Sequence, residues 1–576
     1  MGTFVGALAE KGLTCSDEAL EEECAALASA HGLDAEDLAR EYELFTVTRG
    51  TTEVTESLLE ALGTDLQRRS AKRAAKRSSE ALSFSRGAWD EIADPGAATL
   101  ADVTNRDQPV GTPSRTPAPS KPPVGAHRTP LSAAFANRPQ AGQVVSTLNA
   151  HLDLPASADA MDTDDGERAA LALLPGAGGV AAGARFMAGG RLADRVALID
   201  GRISEFGAAL EHVLGKPASA PVHMVSQEEA LYVGRIVDDA EGRLDARALQ
   251  LEGGLAASQG HRVRLDLAQL PDFRVFPGQV VGVRGRNPTG ECLVAAQLIA
   301  ALPRPLSRSP VADLERYARA TGAAGVSIAV AAGPFTGTED CAYAPLEALL
   351  AWAAAARPDV LLLLGPFVDA EHPAVAGGLL PETFDALFAE QVLSHVEAYA
   401  RGPGAGAHVA LVPSPRDVHH DAVFPAPPLV LPPCAPINLH ALPNPTTFRV
   451  NEVVVGVATP DLLKHLAGQE AVKVAQGTGA GDRMGALAAH VLGQRSYYPL
   501  YPPPPGTLLD AALGASALPL PCSPDVLLLP SDLAPFARAI GASAEGLAAM
   551  KGEPPATNAP LAHCVAERCM VEIRRV

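Results

Sequence analysis

The run Val360–Leu364 consists of five consecutive apolar residues and is followed directly by Gly365 and Pro366. A short apolar run that ends at a glycine–proline pair is typical of a strand that is buried on both of its faces. Similar strands are predicted at four other places: 326–332, 408–412, 450–457 and 525–529. Helices predicted at 346–356 and 382–400 lie between them, and this alternation indicates an α/β domain over residues 306–576 whose sheet is covered on both faces.

Residues 231–299 show a different pattern, in which short strands are joined by turns. Strands are predicted at 231–237, 248–251, 263–267, 280–283 and 293–299. Five short strands in so compact a segment fit an OB-type β-barrel. A helix predicted over 184–214 completes a domain at 166–305. The apolar face of this helix is assigned to Phe186, Leu192, Val196, Leu198, Ile199, Ile203 and Phe206.

OB-type barrels often bind single-stranded nucleic acid through exposed aromatic residues and a basic groove. The aromatic residues of this barrel are only Tyr232, Phe273 and Phe276. A packing role is therefore favoured, and single-strand binding is kept as an alternative.

The first 165 residues divide into a small helical domain at 1–77 and a linker at 78–165. Leucines at helical spacing behind the candidate caps Ser16, Asp34 and Thr51 predict three or four short helices. The linker is rich in Pro, Ser, Thr, Ala and Gly and has no such spacing. We expect it to be disordered, because it cannot bury enough apolar surface to offset the loss of chain entropy.

Two features of this region are candidates for targeting and regulation. The last predicted helix ends in a basic cluster, which is either a solvated helix end or a nuclear-import signal. The cluster consists of Arg68, Arg69, Lys72, Arg73, Lys76 and Arg77. In the linker, Thr112, Thr116 and Thr129 each precede a proline and are candidate sites for proline-directed kinases, although such pairs also arise by chance in a proline-rich segment.

The composition excludes several classes of function. A formal net charge of -20 argues against a nucleic-acid grip spread over the whole surface, because phosphate binding requires clustered Lys and Arg. The eight cysteines are scattered without a C-x-x-C pair, which is typical of reduced intracellular thiols. No segment has the pattern of a signal peptide or a membrane span. We therefore expect a soluble intracellular protein without a metal or cofactor.

The loops that follow the α/β strands lack metal-binding side chains. At these places the domain resembles the metallophosphoesterase superfamily, whose members carry aspartate, histidine and asparagine ligands there. The corresponding residues of this chain are Gly333, Pro334, Gly365, Pro366, Asp369, Ser414 and Ser531. A two-metal hydrolase needs several ligands that converge on its ions. The sequence therefore predicts an inactivated phosphoesterase-like fold, with a working metallophosphoesterase as the main alternative.

Several longer segments resemble the B subunits of eukaryotic DNA polymerase alpha/primase. In the α/β domain they are LLLGPFVDAEHP (362–373), VPSPRDVHHDAVFPAPP (412–428), TPDLLKHL (459–466) and QRSYYPLYPP (494–503). In the barrel they are VGRIVDDAEGRLDARALQLEG (233–253) and FPGQVVGVRGRNPTG (276–290). The chain is thus a multidomain α+β protein similar to that family.

The resemblance implies a non-catalytic accessory subunit. In that family an OB domain and an inactivated phosphoesterase-like domain form one surface, which holds the zinc-bearing C-terminal domain of the polymerase catalytic subunit. Primase subunits are reached through the complex, and the N-terminal helical domain recruits other replication factors. For this chain the resemblance implies these partners, a nuclear location and at most weak or indirect contact with DNA.

Two of the recognised motifs contain side chains that could be mistaken for catalytic groups. Arg416 and Asp417 are expected to pin their loop by charge-assisted hydrogen bonds, and His419 and His420 to complete a buried polar network. The second motif contributes Gln494, Arg495, Tyr497, Tyr498 and Tyr501. Its large amphipathic rings suit either a seam between domains or an interface with a partner.

Overall fold

In this computed structural model the described residues lie in one compact unit, Val124–Val576. They are 135, 138, 141–152, 169–174, 179–181, 184, 186, 190–215, 220–238, 244, 248–321, 325–338, 340–474, 482–540 and 570–574. The predicted helical domain at 1–77, its basic cluster and Thr112, Thr116 and Thr129 lie outside these ranges.

The elements are numbered in chain order. The strands are β1 (Val144–Leu148), β2 (Leu171–Leu173), β3 (Ser226–Val237), β4 (Gln250–Gly253), β5 (Arg262–Asp266), β6 (Phe273–Val275), β7 (Val280–Asn287), β8 (Cys292–Ile299), β9 (Ile328–Ala332), β10 (Val360–Leu364), β11 (His408–Val412), β12 (Leu439–Ala441), β13 (Thr446–Val450), β14 (Val453–Val457), β15 (Ala471–Lys473), β16 (Val526–Leu528) and β17 (Val571–Arg574). The helices are α1 (Leu192–Leu214), α2 (Leu255–Ser258), α3 (Val311–Thr321), α4 (Ala344–Ala356), α5 (Pro373–Ala376), α6 (Phe384–Leu387), α7 (Ser394–Arg401), α8 (Leu462–Gln469), α9 (Arg483–Gly493) and α10 (Ala511–Ala517), with a π-helical turn at Phe388–Leu393.

Strands β3, β4, β5, β8 and β7 close into a barrel in that order. Neighbouring strands are antiparallel except β5 and β8, which are parallel. Along β5, Val263 and Leu265 are buried in the barrel core while Arg262 and Arg264 are exposed, as expected for a strand with one wet face. The five-stranded barrel predicted from the sequence is confirmed.

Helix α1 packs on the outside of the barrel through Ile203, Phe206 and Leu210, which contact Val233 and Val280. The predicted helix began at residue 184, but the observed one begins at Leu192. Leu198 is the first buried residue of α1, so its opening turns carry no core contact. The assignment of three residues to the apolar face was therefore wrong; they are the exposed Phe186, Leu192 and Val196.

The α/β part is built on a four-stranded parallel sheet in the order β12-β11-β10-β9. Its central strand β10 is buried on both faces, and alternate side chains serve different layers. Leu361 and Leu363 pack with α4, α7 and the π-helical turn. Val360, Leu362 and Leu364 pack against a second sheet, ordered β16-β14-β13-β2. The prediction of a sheet covered on both faces is confirmed, with helices on one face and a sheet on the other.

Two predicted elements of the α/β part are interrupted in the structure. The single strand predicted at 450–457 is the hairpin of β13 and β14. Its tight turn contains Asn451, which takes a left-handed φ of 53° that asparagine tolerates well. The single helix predicted at 382–400 is divided into α6, the π-helical turn and α7.

Two short strands lie outside the domains to which the sequence assigned them. Strand β1 falls in the segment predicted to be disordered, yet it pairs antiparallel with β17, at the other end of the chain. Strand β2 falls in the predicted barrel domain, yet it pairs with β13 of the α/β part. Both predictions were wrong at these residues, because a three- to five-residue strand has no periodicity of its own and depends on a distant partner. In the described ranges no helix is both long and apolar enough to span a membrane.

Candidate functional site

The carboxyl ends of β9, β10 and β11 meet at one edge of the parallel sheet, where α/β proteins usually place a ligand or active site. Two of the loops begin with cis peptide bonds, at Gly333–Pro334 and Gly365–Pro366. The loops pack directly on one another. A Cβ added at Gly365 would collide with the Asp417 carboxylate and would lie 2.8 Å from the Ser414 amide. The loops are therefore held against one another by close contacts at this edge.

Asp417 joins the second and third of these loops. Its carboxylate is 1% exposed; Oδ1 accepts hydrogen bonds from the amides of Phe367 (2.5 Å) and Val368 (3.0 Å), and Oδ2 accepts one from Ser414 (2.8 Å). Burial raises the pKa of Asp417 to about 7, against the lowering effect of these three amides. The carboxylate is thus committed to backbone donors on both oxygens.

Asp369, the carboxylate after β10, is held by an arginine. Arg416 donates from Nε to Oδ1 (2.9 Å) and from Nη2 to Oδ2 (2.5 Å), which is the bidentate geometry that guanidinium and carboxylate groups favour. Asp369 is 7% exposed. Arg416 also lies 3.0 Å from Glu371. The guanidinium therefore supplies the positive charge that a buried carboxylate at this edge requires.

The two histidines of the motif behave differently from each other. His420 lies with Nε2 2.9 Å from the carbonyl oxygen of Pro427, which ties down its loop. His419 stacks on Phe388 with ring centroids 4.0 Å apart, and neither of its ring nitrogens has a hydrogen-bond partner. Burial lowers the pKa of His419 to about 3. The expected polar network is thus wrong for His419, whose role is an apolar stack.

The last strand-end loop is tied to the start of α8. Ser531 donates to Oδ1 of Asp461 (2.6 Å), and the amide of Asp532 donates to Oδ2 (3.0 Å). Lys464 pairs with Asp532 at 2.7 Å. Across the parts of the chain that the structure describes, no group of three or more His, Cys, Asp or Glu converges as metal ligands would. The strand ends open on a cavity of about 2200 Å³, which is also lined by Arg304, by Val571 and by Ile573.

The second motif lies at the seam between the barrel and the α/β part. The Gln494 amide is buried; Oε1 accepts from the Val280 amide (2.7 Å), and Nε2 donates to the carbonyls of Val280 (2.8 Å) and Ala300 (2.9 Å). Arg495 donates from Nε to the Leu302 carbonyl at 2.5 Å. One glutamine side chain thus replaces a strand partner at the ends of β7 and β8.

The three tyrosines follow in the same motif. Tyr497 and Tyr498 are almost fully buried. The Tyr497 hydroxyl donates to the Thr446 carbonyl (3.0 Å), while the Tyr498 hydroxyl lies 2.9 Å from Nδ1 of His465. Tyr501 reaches the barrel, where its amide donates to the Pro277 carbonyl (3.1 Å). Tyr501 thus lies at the seam, whereas the hydroxyl groups of Tyr497 and Tyr498 are bonded inside the α/β part.

Sequence reasoning missed one buried carboxylate of the seam. Glu470, 1% exposed, lies 3.0 Å from Nε2 of His490 and 3.5 Å from Arg274 on β6. Strand β15, which follows it, pairs with β6. No local signal could have identified this group, because its partners are distant in sequence. The three barrel aromatics, Tyr232, Phe273 and Phe276, are all buried and offer no stacking surface.

The chain matches two protein-family models. Residues 196–301 match the OB domain of the DNA polymerase alpha B subunit, and residues 328–538 match the B subunit of DNA polymerases alpha and epsilon. These ranges contain the barrel and the strand-end loops, respectively. The OB-type fold predicted for the barrel is thereby confirmed.

Relatives named as the B subunit of DNA polymerase alpha occur in animals and fungi. The Bos taurus protein is 34% identical over 345 residues, which cover 58% of this chain and 54% of that protein. The Rattus norvegicus protein is 33% identical, with 59% and 55% covered, and the Schizosaccharomyces pombe protein is 30% identical, with 60% and 62% covered. The chain thus spans little more than half the length of the mammalian relatives. On these matches, and on the motifs that the structure places at the strand ends and the seam, the chain is similar to the B subunits of DNA polymerase alpha.

Proposed function

We propose that this chain is a non-catalytic accessory subunit of the DNA polymerase alpha/primase complex. It binds the zinc-bearing C-terminal domain of the catalytic subunit and reaches primase through the complex, in the nucleus. The α/β part is an inactivated phosphoesterase-like domain. The observation that carries the proposal is the state of Asp369 and Asp417, whose oxygens are committed to Arg416 and to three backbone amides.

A two-metal hydrolase activates water between ions that are held by free carboxylate and imidazole groups. Here the two buried carboxylates of the strand ends already have their charge or hydrogen-bonding capacity satisfied. His419, the nearest imidazole, lies 3.7 Å from Asp417 but is stacked on Phe388. Recruiting these groups as ligands would require breaking the bonds that hold the loops together. This favours a scaffold over a working metallophosphoesterase.

The seam between the barrel and the α/β part gives a second argument for the scaffold interpretation. Gln494 binds the barrel through three hydrogen bonds, and Tyr497 is bonded inside the α/β part. A platform whose two domains are fixed before binding loses less conformational freedom when a partner docks across both. The geometry is therefore suited to a partner that contacts barrel and α/β part together. The burial of the barrel aromatics counts against the alternative of single-strand binding through stacked bases.

The decisive experiment combines assembly and chemistry. The purified full chain is mixed with a polymerase alpha catalytic subunit and run on size exclusion, and a separate sample with added Mn²⁺ is assayed against bis-p-nitrophenyl phosphate. A stable stoichiometric complex together with no hydrolysis above buffer is expected. Metal-dependent turnover that is lost in Asp369→Asn would refute the scaffold. Failure to co-elute with the catalytic subunit would refute the proposed partner.

A further inference from the structure

Arg202, on the face of α1 that meets the seam, has no hydrogen-bond partner for its Nε and Nη2 atoms among the described residues. Among the described residues it makes no hydrogen bond and no ion pair, and its Nε and Nη2 atoms are shielded from solvent. Burial and the nearby Arg235 lower the pKa of Arg202 to about 10, against the raising effect of Glu205, so the group is still a cation at neutral pH. A shielded guanidinium with two idle donors is strongly unfavourable unless another group compensates it.

A cavity of about 160 Å³ lies beside this guanidinium. It is enclosed between α1, the start of β7 and the loop 494–496. Its polar lining is contributed by Arg202, Glu205, Gln494, Arg495 and Ser496. A water molecule takes up about 30 Å³ in the liquid, so the space holds several waters or one small polyatomic ion. A nucleotide would not fit.

The charges around the cavity do not balance. Arg304 is paired with Glu205, and Arg235 is paired with Glu252. Arg495 donates to a neutral carbonyl, and the carboxylate whose charge acts on both Arg495 and Arg202 is the same Glu205. Glu205, the one carboxylate among the residues that line the cavity, thus faces three guanidinium groups, those of Arg202, Arg304 and Arg495. Glu205 would repel an anion, but its charge is already met by Arg304. Water could satisfy the idle N–H donors of Arg202 but could not offset this excess of positive charge.

We propose that this cavity is a binding site for a small tetrahedral oxyanion of the phosphate class, with Arg202 as its principal ligand. The idle N–H groups of Arg202 match the oxygens of such an ion, since guanidinium groups bind phosphate through paired hydrogen bonds. The ion would connect α1 to the 494–496 loop and so reinforce the same seam that Gln494 holds. The site shares Glu205 and Arg495 with the lining of the strand-end cavity, but its argument is independent of the proposed function.

The test is anion-dependent stability of the full chain. Thermal unfolding is followed in sodium phosphate, sodium sulfate, sodium acetate and sodium chloride at equal ionic strength, and phosphate binding is measured by isothermal titration calorimetry. One bound phosphate is expected, with a Tm rise in phosphate and sulfate that exceeds the rise in acetate and chloride. Equal Tm values in all four salts, or no calorimetric binding to the unmodified chain, would overturn the site.

Variants separate the site from general salt effects. Arg202→Gln is expected to weaken phosphate binding at least tenfold and to abolish the phosphate-specific Tm rise. Arg195→Gln, an exposed position on the same helix, should leave both unchanged. If Arg202→Gln fails to fold, Arg202→Lys keeps the charge but not the paired donors and should weaken binding by a smaller factor. Unaltered phosphate binding in the folded Arg202 variant would reject the assignment.

Discussion

The buried carboxylates of the strand-end loops have hydrogen-bond partners, whereas two N–H donors of Arg202 beside the cavity beneath α1 do not. At the strand ends, Asp369 and Asp417 are bonded by groups of the same chain. Beneath α1, the Nε and Nη2 atoms of Arg202 have no hydrogen-bond partner among the described residues. Satisfied polar groups fix a structure, whereas a buried unsatisfied group calls for an explanation such as a bound water or ion. The comparison therefore separates strand-end loops whose two carboxylates are satisfied from a cavity at which a guanidinium is not.

The largest expected effect comes from removing the Asp417 carboxylate, which joins two of the strand-end loops. Asp417→Ala leaves three buried amides without an acceptor, and since each unsatisfied group costs about 1–3 kcal/mol, we expect a loss of roughly 4 kcal/mol in the free energy of unfolding. Urea unfolding measures it. The control is Asp421→Ala, which removes an exposed carboxylate of the same loop and should cost under about 0.5 kcal/mol. A loss similar to the control's would show that the loops are held by something else.

The ion pair should be the next most sensitive point. Breaking a buried pair costs about 3–5 kcal/mol, and since a third of Arg416 is exposed we expect about 2–3 kcal/mol for Arg416→Ala. The double variant Asp369→Leu with Arg416→Met leaves no buried charge unpaired. It should therefore recover most of the loss in the same urea experiment. If the double variant were less stable than Arg416→Ala, the pair would not be compensating a buried charge.

Gln494 tests whether the seam matters for docking. Gln494→Ala removes hydrogen bonds from buried backbone groups of β7 and β8, and we expect a loss of about 2 kcal/mol in the free energy of unfolding. Because the barrel and the α/β part would then be less rigidly joined, affinity for the catalytic subunit should also fall, as measured by calorimetry. Gln227→Ala on the exposed part of β3 is the matched control. Unchanged affinity in a destabilised Gln494→Ala would separate seam rigidity from docking.

A feature of the fold or of the site could be predicted from the sequence when the residues that cause it are close together in the chain. Strands β10 and β11 were predicted to the residue, because a run buried on both faces consists of consecutive apolar residues. The Asn451 turn was missed, because valines on both sides hide it. The barrel was predicted from its alternation. The stacking of His419 and the unpaired donors of Arg202 were not predicted, because their surroundings are assembled from residues far apart in the chain.

Replacing His419 should give the smallest change in the free energy of unfolding at neutral pH and a clear change at acid pH. His419→Phe keeps the stack on Phe388 and removes no hydrogen bond, so the free energy of unfolding should change by less than about 1 kcal/mol at pH 7. The folded pKa of His419 lies at about 3, below the ordinary 6.5, so the unfolded chain binds a proton in this window that the folded chain does not. Its contribution to stability is present above pH 6.5 and is lost as the pH falls toward 3. Asp417 has the opposite sign: its folded pKa of about 7 exceeds 3.8, so stability rises as the pH falls between them.

The two titrations therefore offset each other in the unmodified chain between pH 6.5 and 4. His419→Phe removes one of them, so the variant should gain stability relative to the unmodified chain as the pH falls, by about 2 kcal/mol at pH 5. Urea unfolding at pH 7 and pH 5 measures the difference, with His223→Gln, an exposed histidine, as the control. A variant that gained no stability at pH 5 would show that His419 accepts a proton in the folded chain. The strand-end loops would then contain an imidazole still free to ionise, and their contrast with the cavity beneath α1 would be weaker than the geometry indicates.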